Sequence, residues 1–247
     1  DEDVNLVVIA TRHDTHAELA RRALERGRNV FVEKPLALGP EELDRVLDAA
    51  AQSDGQLTVG FNRRFSPAAR AAKDFFKDAQ GPLSINYRVN AGRIPVEHWI
   101  YDRREGGGRI ISEVCHFIDL MQFLTESLTT RVYAEAVAGR NHQVVDEDSV
   151  FITLRFADGS NGSIAYLAEG DAALAKERVE IFGAGKTFVL EDFRSTTMHQ
   201  RGKTKRLRLG GQDKGQSNEL REICQAILQG GPAPIRLEDL AASARSA

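Results

Sequence analysis

The feature that most constrains the fold of this chain is an alternation of apolar runs and amphipathic segments in its first part. Apolar runs of strand length occupy 4–10, 29–33 and 57–61. The first two runs do not alternate polar with apolar residues, which is typical of strands that are buried on both faces. Such strands belong to parallel sheets, which helices cover on both sides.

Two helices are predicted between these strands. Thr15 and Glu18 have the spacing of a capping box, which predicts a helix that reaches Gly27. Pro40 suits the first turn of a second helix and Gly55 suits its end. The resulting order, β-α-β-α-β, predicts an α/β fold whose parallel strands are joined by right-handed crossovers.

A parallel sheet of only two or three strands would expose apolar edges. We therefore expect the first part of the chain to be one half of a doubly wound parallel sheet. Further strands, N-terminal to residue 1, are expected to complete it.

The pattern changes near residue 66. Ser66 and Pro67 suit the cap and first turn of a helix. After them, the runs at 84–91, 131–138 and 150–156 alternate polar with apolar residues, which predicts half-buried antiparallel strands. This part is therefore expected to be an α+β domain with an open, mostly antiparallel sheet that is covered on one face.

The predicted domains are 1–64 and 65–247. Within the second domain, further elements are a hairpin turn at Asp158-Gly159, a turn at 183–186 between strands 178–182 and 187–191, and helices at 111–124 and 217–229.

Charge and cysteine content limit the classes of partner. The formal net charge is -3, from 33 basic and 36 acidic residues, so no overall field would attract nucleic acid or an anionic membrane. The basic segment 201–208 is better explained as the solvated face of an edge strand. Cys115 and Cys224 are far apart and suggest neither a disulfide framework nor a metal site, which favours a reducing, cytoplasmic compartment. No signal peptide or membrane span is predicted.

Three segments together resemble one known family. They are ATRHDTH with VFVEKPLAL, GFNRRFSP, and GGGRIISEVCHFIDL, and they span residues 10 to 120. Their sequence and order resemble the glucose-fructose oxidoreductase, inositol dehydrogenase and MocA (Gfo/Idh/MocA) family. The resemblance implies that 1–64 is the C-terminal half of an NAD(P)-binding Rossmann domain.

The resemblance also implies the reaction. Family members transfer a hydride between NAD or NADP and a hydroxyl of a sugar, polyol or nucleotide sugar. The GxGxxG fingerprint that cradles the pyrophosphate is not in this sequence. We therefore expect the intact protein to be an active dehydrogenase. These 247 residues alone are expected to be inactive and to bind the cofactor weakly or not at all. The choice between NAD and NADP stays open.

Two residues carry the catalytic roles that the resemblance implies. Lys34, in the Glu33-Lys34-Pro35 segment after the second strand, would reach the substrate oxygen and the nicotinamide ribose. A cis peptide bond is expected before Pro35. His116 would be the general acid/base on the substrate hydroxyl, because the pKa of histidine lies near neutrality.

The helix that carries His116 departs from the family at one position. The family has an aspartate four residues before the histidine, and this chain has Ser112. Ser112, His116 and Asp119 share one helix face by their spacing, whereas Glu113 points about 100° away. Ser112, Glu113 and Asp119 are predicted to lie at the substrate site, with Asp119 as an alternative partner for His116.

The remaining site predictions concern loops. By resemblance, Ala10, Thr11 and His16 are neighbours of the ribose and phosphates of the cofactor, although His16 could equally be a cap-region residue, and Glu33 and Lys34 belong to the same cofactor site. Of Arg63 and Arg64, one is predicted to face the substrate or cofactor and the other to pair with a carboxylate at the domain interface. Arg64 is favoured as the substrate contact. Trp99 would stack on a sugar ring, or else belong to an ordered loop. No metal ligands are predicted.

A second class of function stays open. Ser112 and the missing fingerprint are also compatible with a non-enzymatic sugar-binding or assembly module that has lost cofactor binding. In either case the open face of the antiparallel sheet, which resembles the oligomer surface of the family, predicts a homo-oligomer.

Overall fold

The computed structural model of the chain describes residues 3–137 and 148–247, which contain six helices and eleven strands. The elements are β1 (Leu6–Ile9), α1 (His16–Leu24), β2 (Asn29–Val32), α2 (Pro40–Gln52), β3 (Leu57–Val59), α3 (Pro67–Phe76), β4 (Ser84–Asn90), α4 (Arg109–Thr125), β5 (Thr129–Ala136), β6 (Val150–Phe156), β7 (Asn161–Leu167), β8 (Glu177–Gly183), β9 (Lys186–Glu191), β10 (Ser195–Gln200), β11 (Lys203–Arg208), α5 (Gln216–Gln229) and α6 (Leu237–Ser246).

Two compact units divide the chain, and neither is contiguous. The first unit comprises 1–62, 97–119 and 217–247, and the second comprises 63–96 and 120–216. The segments 97–119 and 217–247 thus lie in the first unit. The division into domains 1–64 and 65–247 stays a prediction.

The first unit contains the predicted parallel sheet. Its strand order is β1-β2-β3, and both pairs are parallel. Helix α1 follows β1 and packs against β1, β2 and α2, while α6 packs against α2 and β3. Val32 and Val59 are completely buried, as expected for strands with helices packed on them.

The predicted start of α1 is confirmed, and the predicted end of α2 is wrong. Thr15 is the N-cap residue of α1, but its side chain makes no capping hydrogen bond: its backbone is helical (φ -99°, ψ -11°) and its hydroxyl donates to Arg12 O at 2.8 Å. The chain enters α1 through a short 3-10 turn at His13–Thr15. Gly55 does not end α2, which stops at Gln52. Gly55 is needed because a Cβ there would lie 2.2 Å from Arg28 O.

The second unit contains an eight-stranded sheet in the order β11-β10-β9-β8-β4-β7-β6-β5. The sheet is mostly antiparallel, as predicted, but β4 runs parallel to β7 and antiparallel to β8. The prediction that 84–91 forms only antiparallel pairs is therefore wrong. The pattern of alternation could not reveal this, because it reports the buried face of a strand and not the direction of its neighbours.

In this sheet, the burial of β5 differs from the prediction, and the hairpin between β8 and β9 agrees with it. Strand β5 is exposed along almost its whole length rather than half-buried, and the last residue predicted for it, Ala138, lies outside the described residues. The hairpin between β8 and β9 is confirmed. Its two turn residues, Ala184 and Gly185, have φ values of +48° and +70°, as a type I′ turn requires.

One face of this sheet carries the core of the second unit. Alternate residues of β6 are buried, and the last turns of α4 come close to β7: a Cβ on Gly162 would lie 2.6 Å from Met121 Sδ. Helix α3 covers β9, where the rings of Phe75 and Phe188 lie 6.0 Å apart. The predicted sheet covered on one face is thus observed.

A buried carboxylate organises the same core. Glu177 is completely buried and accepts two hydrogen bonds from Arg63, at 2.8 and 2.9 Å. Lys214 Nζ lies 2.6 Å from one of its oxygens, and Tyr87 donates its hydroxyl to the other at 2.5 Å. Burial alone would raise the pKa of Glu177, but the charges and hydrogen bonds of Arg63 and Lys214 outweigh burial and hold it at about 2.

We predict that Glu177→Gln lowers the free energy of unfolding by about 3–5 kcal/mol, because it leaves two buried cations without their counter-charge. The measurement is urea unfolding at pH 7. Glu180→Gln, which alters a half-exposed pair with Arg178, is the control and should cost less than about 1 kcal/mol.

The contribution of Glu177 should also depend on pH. Since its pKa is lower in the folded chain than the ordinary 4.5, the stabilisation is complete above pH 4.5 and is lost as the pH falls towards 2. The difference in unfolding free energy between wild type and Glu177→Gln should shrink over that range. A difference that stays constant from pH 5 to about pH 2 would contradict this assignment.

Candidate functional site

The carboxyl ends of β1, β2 and β3 lie side by side, because the three strands are parallel. Ala10 and Thr11 follow β1, and Glu33 and Lys34 follow β2. Ala10 and Thr11 are exposed, and Glu33 and Lys34 are half-buried. The Lys34–Pro35 bond is cis, as predicted. The fold therefore brings four of the predicted site residues to the edge where parallel α/β sheets bind ligands.

The carboxylate of Glu33 lies over the end of the neighbouring strand. A Cβ on Gly60 would lie 3.1 Å from Glu33 Oε2, so the absence of a side chain at Gly60 allows this approach. Glu33 also continues the ladder, since its amide donates to Ile9 O at 2.8 Å. Glu33 is thereby fixed at the junction of all three strand ends.

His16 joins two of the loops at this edge. Its ring is completely buried, with Nδ1 2.8 Å from Pro35 O and Nε2 3.1 Å from Thr11 O. The residue therefore ties the loop after β1 to the loop after β2. Direct contact between His16 and a cofactor, which the resemblance implies, stays a prediction.

Helix α4 carries the other predicted catalytic residue. Ser112, His116 and Asp119 are buried, with exposed fractions of 0%, 7% and 0%, whereas Glu113 is half-exposed. The imidazole of His116 meets the ring of Phe61 edge-on, with 6.0 Å between ring centroids. Phe61 follows β3, so His116 lies at the same edge of the sheet as the residues after β1 and β2.

The hydroxyl of Ser112 is directed towards the start of its own helix. Ser112 Oγ lies 2.5 Å from Gly108 O and 3.0 Å from Gly106 O. It also lies 3.3 Å from Nδ1 of His13. Ser112 thus joins the glycine run to α4 at the position where the family has a carboxylate.

His13 belongs to this site and was not predicted from the sequence. It is 7% exposed, and its Nδ1 lies 2.9 Å from Gly106 O. Burial lowers the pKa of His13, and the nearby charges of Lys34 and His16 lower it further. Its position in the sequence could have indicated its role, since His13 lies with Thr11 and His16 in the loop after β1, at the edge where parallel sheets bind ligands.

Trp99 is held by the same loop. The guanidinium of Arg12 lies 4.8 Å from the centre of the Trp99 ring and pairs with Glu105 at 2.9 Å. The ring of His13 approaches Trp99 edge-on, with 4.7 Å between centroids. Trp99 therefore belongs to an ordered loop, with Arg12 over its ring, and its predicted stacking on a sugar stays a prediction.

The two arginines after β3 belong to the second unit. Arg63 pairs with the carboxylate of Glu177, which belongs to the same unit. Arg64 is 5% exposed, and its guanidinium lies 5.6 Å from the ring of Phe123. The substrate contact predicted for Arg64 stays a prediction.

We also looked for a metal site in the described ranges and considered the groove between α1 and α2. No group of three or more His, Cys, Asp or Glu residues in 3–137 and 148–247 could hold a metal ion. A groove of about 590 Å³ between α1 and α2, lined by Arg21, Arg45 and Asp48 among others, contains none of the site residues. The carboxyl edge of the parallel sheet is therefore the candidate site.

Two family models match the chain. Residues 1–61 match the model described as an oxidoreductase family with an NAD-binding Rossmann fold. Residues 82–189 match the model described as the GFO/IDH/MocA C-terminal domain. Together these ranges cover more than half of the chain.

Curated relatives and solved structures agree with these matches. The chain is 25% identical over 201 residues to a myo-inositol 2-dehydrogenase of Thermotoga maritima, and 29% identical over 203 residues to an inositol 2-dehydrogenase of Rhizobium meliloti. These alignments cover 80% and 79% of this chain and 60% of each relative. The chain thus spans about three fifths of the length of these curated relatives.

Among solved structures, a levoglucosan dehydrogenase in complex with NADH and levoglucosan has a TM-score of 0.85 at 23% identity. An oxidoreductase domain protein from Kribbella flavida has the same TM-score and identity. Both alignments cover 99% of this chain and 76% of the other chain. At these identities the likeness establishes the fold.

We predict that Gly106→Ala lowers the free energy of unfolding by about 3 kcal/mol, since the new Cβ would overpack rigid backbone. It would lie 2.4 Å from the Cα and 2.5 Å from the O of Ile100. Chemical denaturation measures the change. Gly211→Ala, where a Cβ meets nothing within 4 Å, is the control and should change stability by less than about 0.5 kcal/mol. Equal stability of the two variants would contradict the tight approach at Gly106.

Proposed function

The chain belongs to the Gfo/Idh/MocA oxidoreductase family, and on that premise we propose that its intact protein is an NAD(P)-dependent dehydrogenase of carbohydrates. The reaction is hydride transfer between the nicotinamide and a hydroxyl of a sugar, polyol or nucleotide sugar. The observation that carries this proposal is the convergence of Lys34, after β2, and His116, beside Phe61, at the carboxyl edge of one parallel sheet.

The groups at this edge fit a nicotinamide nucleotide by their chemistry. Lys34 offers a half-buried ammonium, and Thr11 offers an exposed hydroxyl. Such donors suit ribose hydroxyls and phosphate oxygens, which are hydrogen-bond acceptors. Ala10, Thr11, Glu33 and Lys34 would hold the nicotinamide side, with His16 fixing the two loops that carry them. The bound cofactor would accept or supply the hydride at its nicotinamide ring.

Lys34 would stabilise negative charge on the reacting oxygen of the substrate. Its fixed position at the end of β2 means that little reorganisation is needed when charge develops there. Its ammonium would at the same time donate to the nicotinamide ribose. Lys34 is therefore assigned a charge-stabilising and orienting role.

His116 would take the proton from the substrate hydroxyl, or return it in the reverse direction. An imidazole suits this role because it can gain and lose a proton near neutral pH. Asp119, one turn further along α4, is the buried carboxylate available to orient it on the same helix face. Ser112, whose hydroxyl contacts the carbonyl oxygens of Gly106 and Gly108, carries no charge. Glu113, Trp99 and Arg64 are proposed to contact the substrate.

We propose further that the protein forms a homo-oligomer through the open face of the eight-stranded sheet. Phe151 on β6 is 55% exposed and Tyr133 on β5 is 65% exposed. Tyr133 lies opposite Thr153, which has the same orientation on β6 as Phe151, so both aromatic rings share one face. Exposed aromatic side chains on one surface favour association between protein chains.

The compartment is proposed to be the cytoplasm. Cys115 and Cys224 do not form a disulfide, as a reducing compartment favours. In the parts of the chain that the structure describes, no helix combines the length and the apolar character needed to cross a membrane.

We predict that His116→Ala in the intact protein lowers kcat about 10²- to 10⁴-fold, because the acid/base on the substrate hydroxyl is lost. Turnover of NAD+ or NADP+ would be followed with myo-inositol, scyllo-inositol and levoglucosan, which are named for the relatives. His199→Ala, at an exposed position near the end of β10, is the control and should retain full activity. Unchanged turnover in His116→Ala would remove the acid/base role. Sugar binding without turnover in wild type would favour the alternative, a non-enzymatic sugar-binding or assembly module.

We predict that Phe151→Glu shifts the intact protein to a smaller species in analytical ultracentrifugation, since it places a charge on the proposed contact face. Leu228→Glu, at a site on α5 that is 82% exposed, is the matched control and should leave the mass unchanged. A mass that is the same for Phe151→Glu and wild type would exclude this face as the interface.

A further inference from the structure

His13 joins the loop after β1 to the loop that leads into α4. Its Nδ1 lies 2.9 Å from Gly106 O, and its ring packs edge-on against Trp99. Beside it, the amide of Asp14 donates to Glu105 O at 3.2 Å. In addition to the Arg12–Glu105 ion pair, the two loops are thus connected through the buried side chain of His13 and one backbone hydrogen bond.

The contact with Gly106 defines the tautomer of His13. A carbonyl oxygen can only accept, so Nδ1 must carry the hydrogen. Burial lowers the pKa of His13 from its ordinary 6.5; the hydrogen bond to Gly106 raises it in part, and the charges of Lys34 and His16 lower it. His13 is therefore neutral at pH 7, with its single N–H directed at Gly106.

Ser112 completes a three-membered network with these two groups. Its hydroxyl oxygen lies 3.0 Å from Gly106 O and 3.3 Å from Nδ1 of His13. Its amide donates to Gly108 O at 3.2 Å, which is the first turn of α4. His116 lies one helical turn further on, at i+4 from Ser112, and moves with that turn.

The backbone conformation of the glycine run Gly106–Gly108 is held by hydrogen bonds to its amides and to the carbonyl of Gly106. Gly107 and Gly108 have φ values of +76° and +88°, so the run follows a path that other residues rarely adopt. The amides of Gly106 and Gly107 both donate to Asp102 O, at 2.7 and 3.0 Å. The Gly106 carbonyl accepts a hydrogen bond from Nδ1 of His13 at 2.9 Å, and Ser112 Oγ, whose shorter contact is with Gly108 O at 2.5 Å, lies 3.0 Å from it.

We propose that His13 is a positioning residue of the candidate site, which holds the Gly106 carbonyl and thereby fixes Ser112, the first turn of α4 and the imidazole of His116. The role of His116 rests on the proposed function, whereas the network itself does not.

Hydrogen exchange in the intact protein tests the network without turnover. His13→Leu removes the donor, and His13→Asn keeps one, because the amide nitrogen of Asn can occupy the position of Nδ1. Amide exchange in 106–116 should rise about tenfold in His13→Leu, as expected for the loss of one buried hydrogen bond. It should stay within about twofold of wild type in His13→Asn. Exchange in 150–167 of the second unit should not change in either variant.

An unchanged rate in 106–116 for His13→Leu would overturn the proposal, and so would an equal rise in 150–167, which indicates general destabilisation. Nitrogen-15 spectra of the intact wild type give a second test, in which the signals of His13 are those that are missing from the spectrum of His13→Leu. The spectrum of His13 should report the Nδ1–H tautomer. An Nε2–H tautomer would overturn the proposal.

Kinetics separate positioning from a merely structural role. In the intact enzyme, His13→Leu should lower kcat at least about tenfold with the KM for the nicotinamide cofactor within twofold, and His13→Asn should restore most of kcat. Unchanged kcat in His13→Leu, or no rescue by His13→Asn, would overturn the positioning role. If His116→Ala left turnover unchanged while the exchange results held, the proposed function would fail and the network would stand.

Discussion

The pairing of three parallel strands is the constraint on which the candidate site depends. Because β1, β2 and β3 run in the same direction, their following loops emerge at one edge, and residues from distant parts of the sequence meet there. His16 ties the first two loops through Thr11 O and Pro35 O. Phe61 brings the end of β3 against His116. Loss of the parallel register would separate Lys34 from His116 however well each helix formed.

Buried polar groups serve different ends in the two units. In the second unit, Glu177 is surrounded by Arg63, Lys214 and Tyr87, and the two cations hold its pKa at about 2. That carboxylate is therefore a fixed charge that stabilises a core and does not exchange protons near pH 7. At the ligand edge of the first unit, burial instead lowers the pKa of His13 and keeps it neutral. Glu177 is thus held charged by the cations buried with it, whereas burial and the nearby charges of Lys34 and His16 keep His13 neutral.

Much of the fold was predictable because it depends on short-range patterns. The parallel strands, the cap at Ser66 and the hairpin at Ala184-Gly185 each follow from local composition, and the structure confirms them. What could not be predicted depends on distant contacts. The parallel pairing of β4 with β7, the reason for Gly55 and the burial of His13 against Gly106 all require knowledge of which segments come together. Lys34 and His116 were found through the motifs that contain them, and His13 was missed because the motif points to His16.

We propose that the carboxyl edge of the parallel sheet binds a nicotinamide cofactor through Lys34. The most direct measurement is the Kd of NADH for the intact protein, from nicotinamide fluorescence, in wild type, Lys34→Ala and Lys203→Ala. Lys203 is an exposed lysine of β11 and serves as the matched control. We predict that Lys34→Ala raises the Kd about tenfold or more, as for the loss of a hydrogen bond from a charged donor, and that Lys203→Ala does not change it. Equal Kd values for all three proteins, or no binding by the wild type, would contradict the account.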